Sequence, residues 1–146
     1  MLKIRQEQFD ALKCQSEVAF VDRIIAFLLM RYPDLEVQIP TGQKTIEELD
    51  RETLRGMVQA GVARAREYAM TWETSLTSFV MLMFLIAPNF DEHLPIRLTL
   101  KNEKIDPEER IDRVCEQATV DTWEAARQAY DIKAWKLKAE AAQEEA

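Results

Sequence analysis

The chain is 146 residues long, 47% hydrophobic and 31% charged, with only 3 Gly and 5 Pro. That length suits one ordinary domain with a buried core, and so few breakers favour long helices over a strand-rich sandwich. Acidic residues exceed basic ones by 26 to 19, a net charge of −7 with no basic run, which argues against a nucleic-acid partner, because affinity there comes from phosphate neutralisation.

Met1 to Asp10 is polar where a signal peptide needs an apolar stretch. Of two apolar runs, Val18–Met30 contains Asp22 and Arg23 and Leu76–Ala87 is only twelve residues long, against about 20 for a spanning helix. Both read as buried helices, so the expectation is a cytoplasmic protein without membrane insertion. Cys14 and Cys115 lie far apart among apolar neighbours and in no CxxC spacing. Their parity permits a disulfide, but two buried thiols in a reducing compartment is the simpler reading.

The spacing predicts a first helix over Arg5–Met30, with Phe9, Leu12, Ser16, Phe20, Ile24 and Phe27 on one face and Val21, Ile25 and Leu29 adding a second. A helix apolar on several sides is surrounded by other elements, so its C-terminal half enters the core, and Pro33 ends it. Residues 33–45, with Pro33, Pro40 and Gly42, are irregular. Leu35, Val37 and Ile39 alternate with polar residues, but a lone strand has no obvious partner, and a loop packed on the bundle is expected. The second helix spans Ile46–Ala69 with a break near Asp50. Its stripe of Leu54, Val58, Gly61, Ala65 and Tyr68 includes a glycine costing about 1 kcal/mol in helix propensity, which implies close approach of another helix; Arg51, Arg55, Arg66 and Glu67 face outward.

Thr71 reads as the N-cap of a third, central helix, with Leu76, Phe79, Val80, Met83 and Ala87 as its inner stripe and Pro88-Asn89 as its stop. A short helix over Pro95–Leu100 follows. Asp106-Pro107-Glu108-Glu109 then combines an aspartate cap, a proline at the first helical position and a glutamate three residues on. Ile111, Val114, Cys115 and Ala118 continue as the inner face. A last helix is predicted over Asp121–Ala139. The fold class expected is all-α: a single-domain bundle of about five to six helices over residues 1–140, an irregular segment near 33–45, and a frayed tail at 141–146.

Catalytic constellations are scarce. His93 is the only histidine, and no HExxH, GxSxG or glycine-rich phosphate loop is present; catalytic, cofactor-binding and metal-ligating residues are all expected to be none. The acidic pairs Glu47-Glu48, Asp91-Glu92 and Glu108-Glu109 suit first helical turns, where carboxylates complement the helix dipole. Met57, Met70, Met81 and Met83 fall on or beside inner stripes and read as core. The last predicted helix places Trp123, Ala126, Tyr130, Ala134 and Leu137 on one face, with Ile132 nearly opposite and Trp135 about a third of a turn away. One amphipathic helix cannot bury all of these against one surface. Either it is sandwiched within its own fold or Trp123, Tyr130, Ile132 and Trp135 mark a partner-binding face.

A resemblance enters through Gly61-Val62-Ala63-Arg64-Ala65-Arg66-Glu67-Tyr68, Thr71-Trp72-Glu73, the apolar run Phe79–Leu85, Pro88-Asn89-Phe90-Asp91, Ile105-Asp106-Pro107-Glu108, Arg110-Ile111-Asp112-Arg113 and the opening Ile4-Arg5-Gln6-Glu7-Gln8. Across about residues 4–115 the chain resembles a family of small bacterial helical proteins encoded near type VI secretion spike and effector genes. It departs from the family pattern at Ala69, where glycine is common, and in its tail with Trp123 and Trp135. The resemblance implies a non-enzymatic adaptor or chaperone for a secreted effector or spike-tip protein, cytoplasmic or exported with the secretion complex, with no cofactor. An immunity protein that neutralises a cognate toxin, with an interface matched in charge to a basic toxin cleft, is the alternative, and a homo-oligomer is compatible with either.

Overall fold

In the computed structural model, which describes residues 6–137 and side chains from Ser16 onward, α1 runs from Gln6 to Arg31 and stops, as expected, just before Pro33. Phe20, Val21, Ile24, Ile25 and Leu28 are buried, whereas Phe27 is 40% exposed and leaves the inner stripe to which its spacing assigned it. The expected tail at 141–146 lies outside the described residues.

The segment after Pro33 is not a loop. Glu36–Ile39 (β1) and Gly42–Thr45 (β2) pair antiparallel, Ile39 opposite Gly42 and Glu36 opposite Thr45, so the molecule is largely helical rather than purely all-α. The partner of the alternating Val37 and Ile39 was hidden because Gly42-Gln-Lys-Thr45 buries nothing apolar. Gly42 adopts φ +129° at the tight connection, a conformation L-residues rarely reach. Val37 and Ile39 turn inward, joined by Ile46 and Leu49 from the following turn.

Asp50 N-caps α2 (Arg51–Glu67), its Oδ1 accepting the Thr53 amide at 2.6 Å, which accounts for the expected break. Leu54, Val58, Gly61 and Ala65 are buried along the expected stripe. A Cβ on Gly61 would stand 3.0 Å from both Val80 Cγ2 and Met83 Sδ of α3 (Glu73–Leu85), the close approach that this glycine implied. At the end of α2, the Ala69 amide donates to Arg66 O and the Met70 amide to Ala65 O, a Schellman-type stop whose left-handed position is filled by Ala69 at φ +69°.

Thr71 does not cap α3. Trp72 occupies the cap position with no side-chain bond of its own, and the Glu108 carboxylate accepts the Thr71 and Trp72 amides at 3.0 Å each. Part burial raises the Glu108 pKa, but the Trp72 and Thr71 amides and the Ser75 and Thr71 hydroxyls outweigh it and hold it below the ordinary value. Glu108 sits in a 3-10 turn over Pro107–Glu109 that Asp106 caps and that leads into α5 (Arg110–Gln117). Before it come a 3-10 turn, Phe90–Glu92, and α4 (Leu94–Leu100). α6 covers only Val120–Gln128, starting one residue ahead of the expected Asp121, and is capped by Thr119.

One core joins these elements, with Phe79, Phe90, Met57, Met70, Met83 and Trp135 fully buried. Cys115 lies outside it, exposed, with its thiol pKa pushed up by part burial and by Asp112 and Glu116, so the buried-thiol expectation fails there. The side chain of Cys14 lies outside the described residues.

Two substitutions test the α2–α3 geometry. Gly61→Ala gains about 1 kcal/mol of helix propensity, but the β-branched Val80 and the enclosed Met83 cannot retreat, and overpacking costs roughly 1–3 kcal/mol. The expected result is a melting temperature lower by about 3 °C; a rise contradicts the contact. Ala69→Gly relieves left-handed backbone strain and is expected to stabilise the protein by about 1 kcal/mol in urea unfolding.

Candidate functional site

α6 ends at Gln128 because the next residues find better partners by turning back. Asn89, just past α3, donates from Nδ2 to Ala129 O and accepts the Asp131 amide on Oδ1, both at 2.9 Å. The Asp131 carboxylate then accepts the Lys133 amide and starts a 3-10 turn over Ile132–Trp135. The predicted helix to Ala139 is therefore broken, and the stripe drawn on it dissolves.

Of the four candidate partner-binding residues, the structure brings two together. Trp135 is fully buried, its ring 4.8 Å from that of Phe84, and its Nε1–H donates to the Tyr130 hydroxyl at 2.9 Å. That hydroxyl also accepts the Gln38 amide at 3.1 Å and donates to Gln38 O at 2.9 Å. Tyr130 thus satisfies, with one atom, both backbone groups that β1 offers at this position on the edge away from β2, as an added strand would. Burial raises the Tyr130 pKa against the opposing pull of Trp135 and Gln38. Trp123 and Ile132 are partly buried. The partner-face reading of Trp135 is corrected: its ring fills the core and is unavailable to another chain.

At least one carboxylate of each acidic pair is engaged in structure. Asp91 is 1% exposed; its Oδ2 accepts from Arg64 Nε and from the Tyr68 hydroxyl, both at 2.7 Å, and Glu92 meets Arg64 Nη2 at 3.1 Å. Burial works against the Arg64 charge, and Asp91 and Glu92 more than offset it, while burial and the Asp91 bond push the Tyr68 hydroxyl pKa up. Glu48 and Thr45 exchange side-chain-to-amide bonds in the pattern of a capping box. His93 occupies the cap position of α4 without a side-chain cap bond. Among the described residues, no group of three His, Cys, Asp or Glu is placed to hold a metal ion, and no helix is long and apolar enough to cross a membrane.

Among the described residues, large apolar side chains are exposed at Trp72, Leu94, Leu98 and Val120 and, as a row beside a groove, on the outer face of α1. Ala19, Arg23, Ala26, Phe27 and Met30 are exposed there, Met30 at 71%, and the helical register sets them on one side. Beside this face, Phe20, Ile24 and Phe27 line a groove of about 450 Å³ whose far wall is Thr74, Thr77 and Ser78 of α3. Arg23 bridges the two walls through Nη2, which donates to both Glu73 carboxylate oxygens at 2.9 and 3.0 Å. Sequence reasoning missed this surface because a helix apolar nearly all round offers no sign of which side its neighbours leave open. No family model, curated protein or solved structure matches the chain.

The Trp135 assignment has a direct test. Trp135→Ala is expected to cost about 3–5 kcal/mol by cavity formation, and Tyr130→Phe about 1 kcal/mol by leaving the Trp135 Nε1–H without its acceptor. An unchanged unfolding midpoint for Trp135→Ala would return that ring to the surface.

Proposed function

We propose that the protein is a non-enzymatic adaptor or chaperone that holds another protein, with the open face of α1 as its docking surface. The observation that carries this reading is the row Ala19, Ala26, Phe27 and Met30 beside the α1–α3 groove. Small residues at 19 and 26 let a helix approach closely, Phe27 and Met30 supply apolar contact, and methionine adapts to irregular partners. The occupant that fits is an amphipathic helix of the client, laid along α1 with its apolar anchors in the groove. The net charge of −7 favours solubility of the free protein. The family resemblance points to a type VI secretion effector or spike-tip protein as the client.

Co-expression with the proteins encoded by its neighbouring genes, followed by size-exclusion chromatography, tests this directly. The expected result is a stable complex with one of them, weakened at least ten-fold by Phe27→Glu with Met30→Glu while the melting temperature stays within a few degrees. Undiminished binding by that variant contradicts the docking face. Protection of cells producing the toxin, without any change in its delivery, makes the protein an immunity factor instead.

A further inference from the structure

A cavity of about 900 Å³ opens between the hairpin turn, the first half of α2 and the residues after Trp135. Its charged lining runs against the character of the molecule. Arg51, Arg55 and Lys136 face a single acidic residue, Glu52, in a chain whose net charge is −7. Arg51 and Lys136 are exposed, and neither forms an ion pair among the described residues. Arg55 spends one Nη on Asp22 at 2.8 Å, but its Nε is buried without a hydrogen-bond partner, and a buried guanidinium donor left unmade is costly. Asp50 already takes the Thr53 amide at the start of α2, so attraction for an anion here comes from the side chains and not from the helix end.

We propose that this cavity binds an acidic peptide segment, one in which glutamates alternate with apolar residues, from a partner protein. Carboxylates of such a segment meet the exposed Arg51 and Lys136. Ile39 and Leu137, which also line the cavity, accept the apolar side chains between them. The volume exceeds what a single small anion fills, and the acidic remainder of the surface disfavours a long polyanion such as nucleic acid. Electrostatic steering into a cationic trough on an acidic protein selects by charge pattern more than by area. This surface is separate from the α1 face and does not depend on the function proposed for it.

Fluorescence anisotropy of the full chain with a labelled peptide alternating glutamate and leucine tests the assignment. Saturable binding is expected at low ionic strength, with at least ten-fold weaker binding to the same peptide carrying glutamine for glutamate, and a comparable loss at 0.5 M salt. Arg51→Gln with Lys136→Gln is expected to reproduce the ten-fold loss without changing the melting temperature, and Phe27→Glu to bind as the parent does. Absence of saturable binding, equal affinity for the glutamine peptide, or full binding by the Arg51/Lys136 variant overturns the proposal.

Discussion

At Gly61 the backbone of α2 comes to van der Waals distance of Val80 and Met83, and the two helices together form the wall on which the rest of the chain is laid. α1 packs Val21, Ile25 and Leu28 into the core they share, the hairpin adds Val37 and Ile39, and Trp135 reaches Phe84 of α3 from the C-terminal side. A side chain at position 61 would separate α2 from α3 and loosen these contacts together, because close-packed interiors transmit small displacements.

The polar interior fixes how the later elements attach to that wall. Tyr68, at the end of α2, donates its hydroxyl to Asp91 and offers its carbonyl to Arg110 Nη1 at 3.0 Å. Arg110, 8% exposed, also donates to Leu100 O at 3.1 Å and, through Nε, to Ile105 O at 3.1 Å. A cation placed at the carbonyl ends of α2 and α4 satisfies groups that both helices leave unbonded. Burying that charge is costly, and the three carbonyl bonds are what offset it. Glu108 works from the same turn on the entrance to α3, so residues 106–110 both close α2 and open α3.

Much of the helical framework was legible in the sequence because its signals are local. The four-three stepping of Leu54, Val58, Gly61 and Ala65, the break near Asp50 and the Asp106-Pro107 start each depend on neighbours within a turn. What escaped reading depends on distant partners. β2 is polar because it packs nothing apolar, so its pairing shows only in the register. Thr71 resembles a cap, yet a carboxylate 37 positions away does the work. The continuous stripe from Trp123 to Leu137 suggested one helix, but Asn89, forty residues upstream, breaks it. Of the residues chosen on that stripe, Tyr130 holds the hairpin edge and Trp135 fills the core.

The outer row of α1 and the cationic cavity beside α2 are two surfaces that packing among the described residues does not use. Both rest on a rigid α2–α3 pair beneath them. Native-state hydrogen exchange of the full chain measures that rigidity most directly. The amides of Val58–Ala65 and Phe79–Phe84 are expected to exchange only through global unfolding, with a free energy equal to that from urea denaturation. Exchange of these amides through a local opening well below the global value would show that the Gly61 contact is not what holds the fold together.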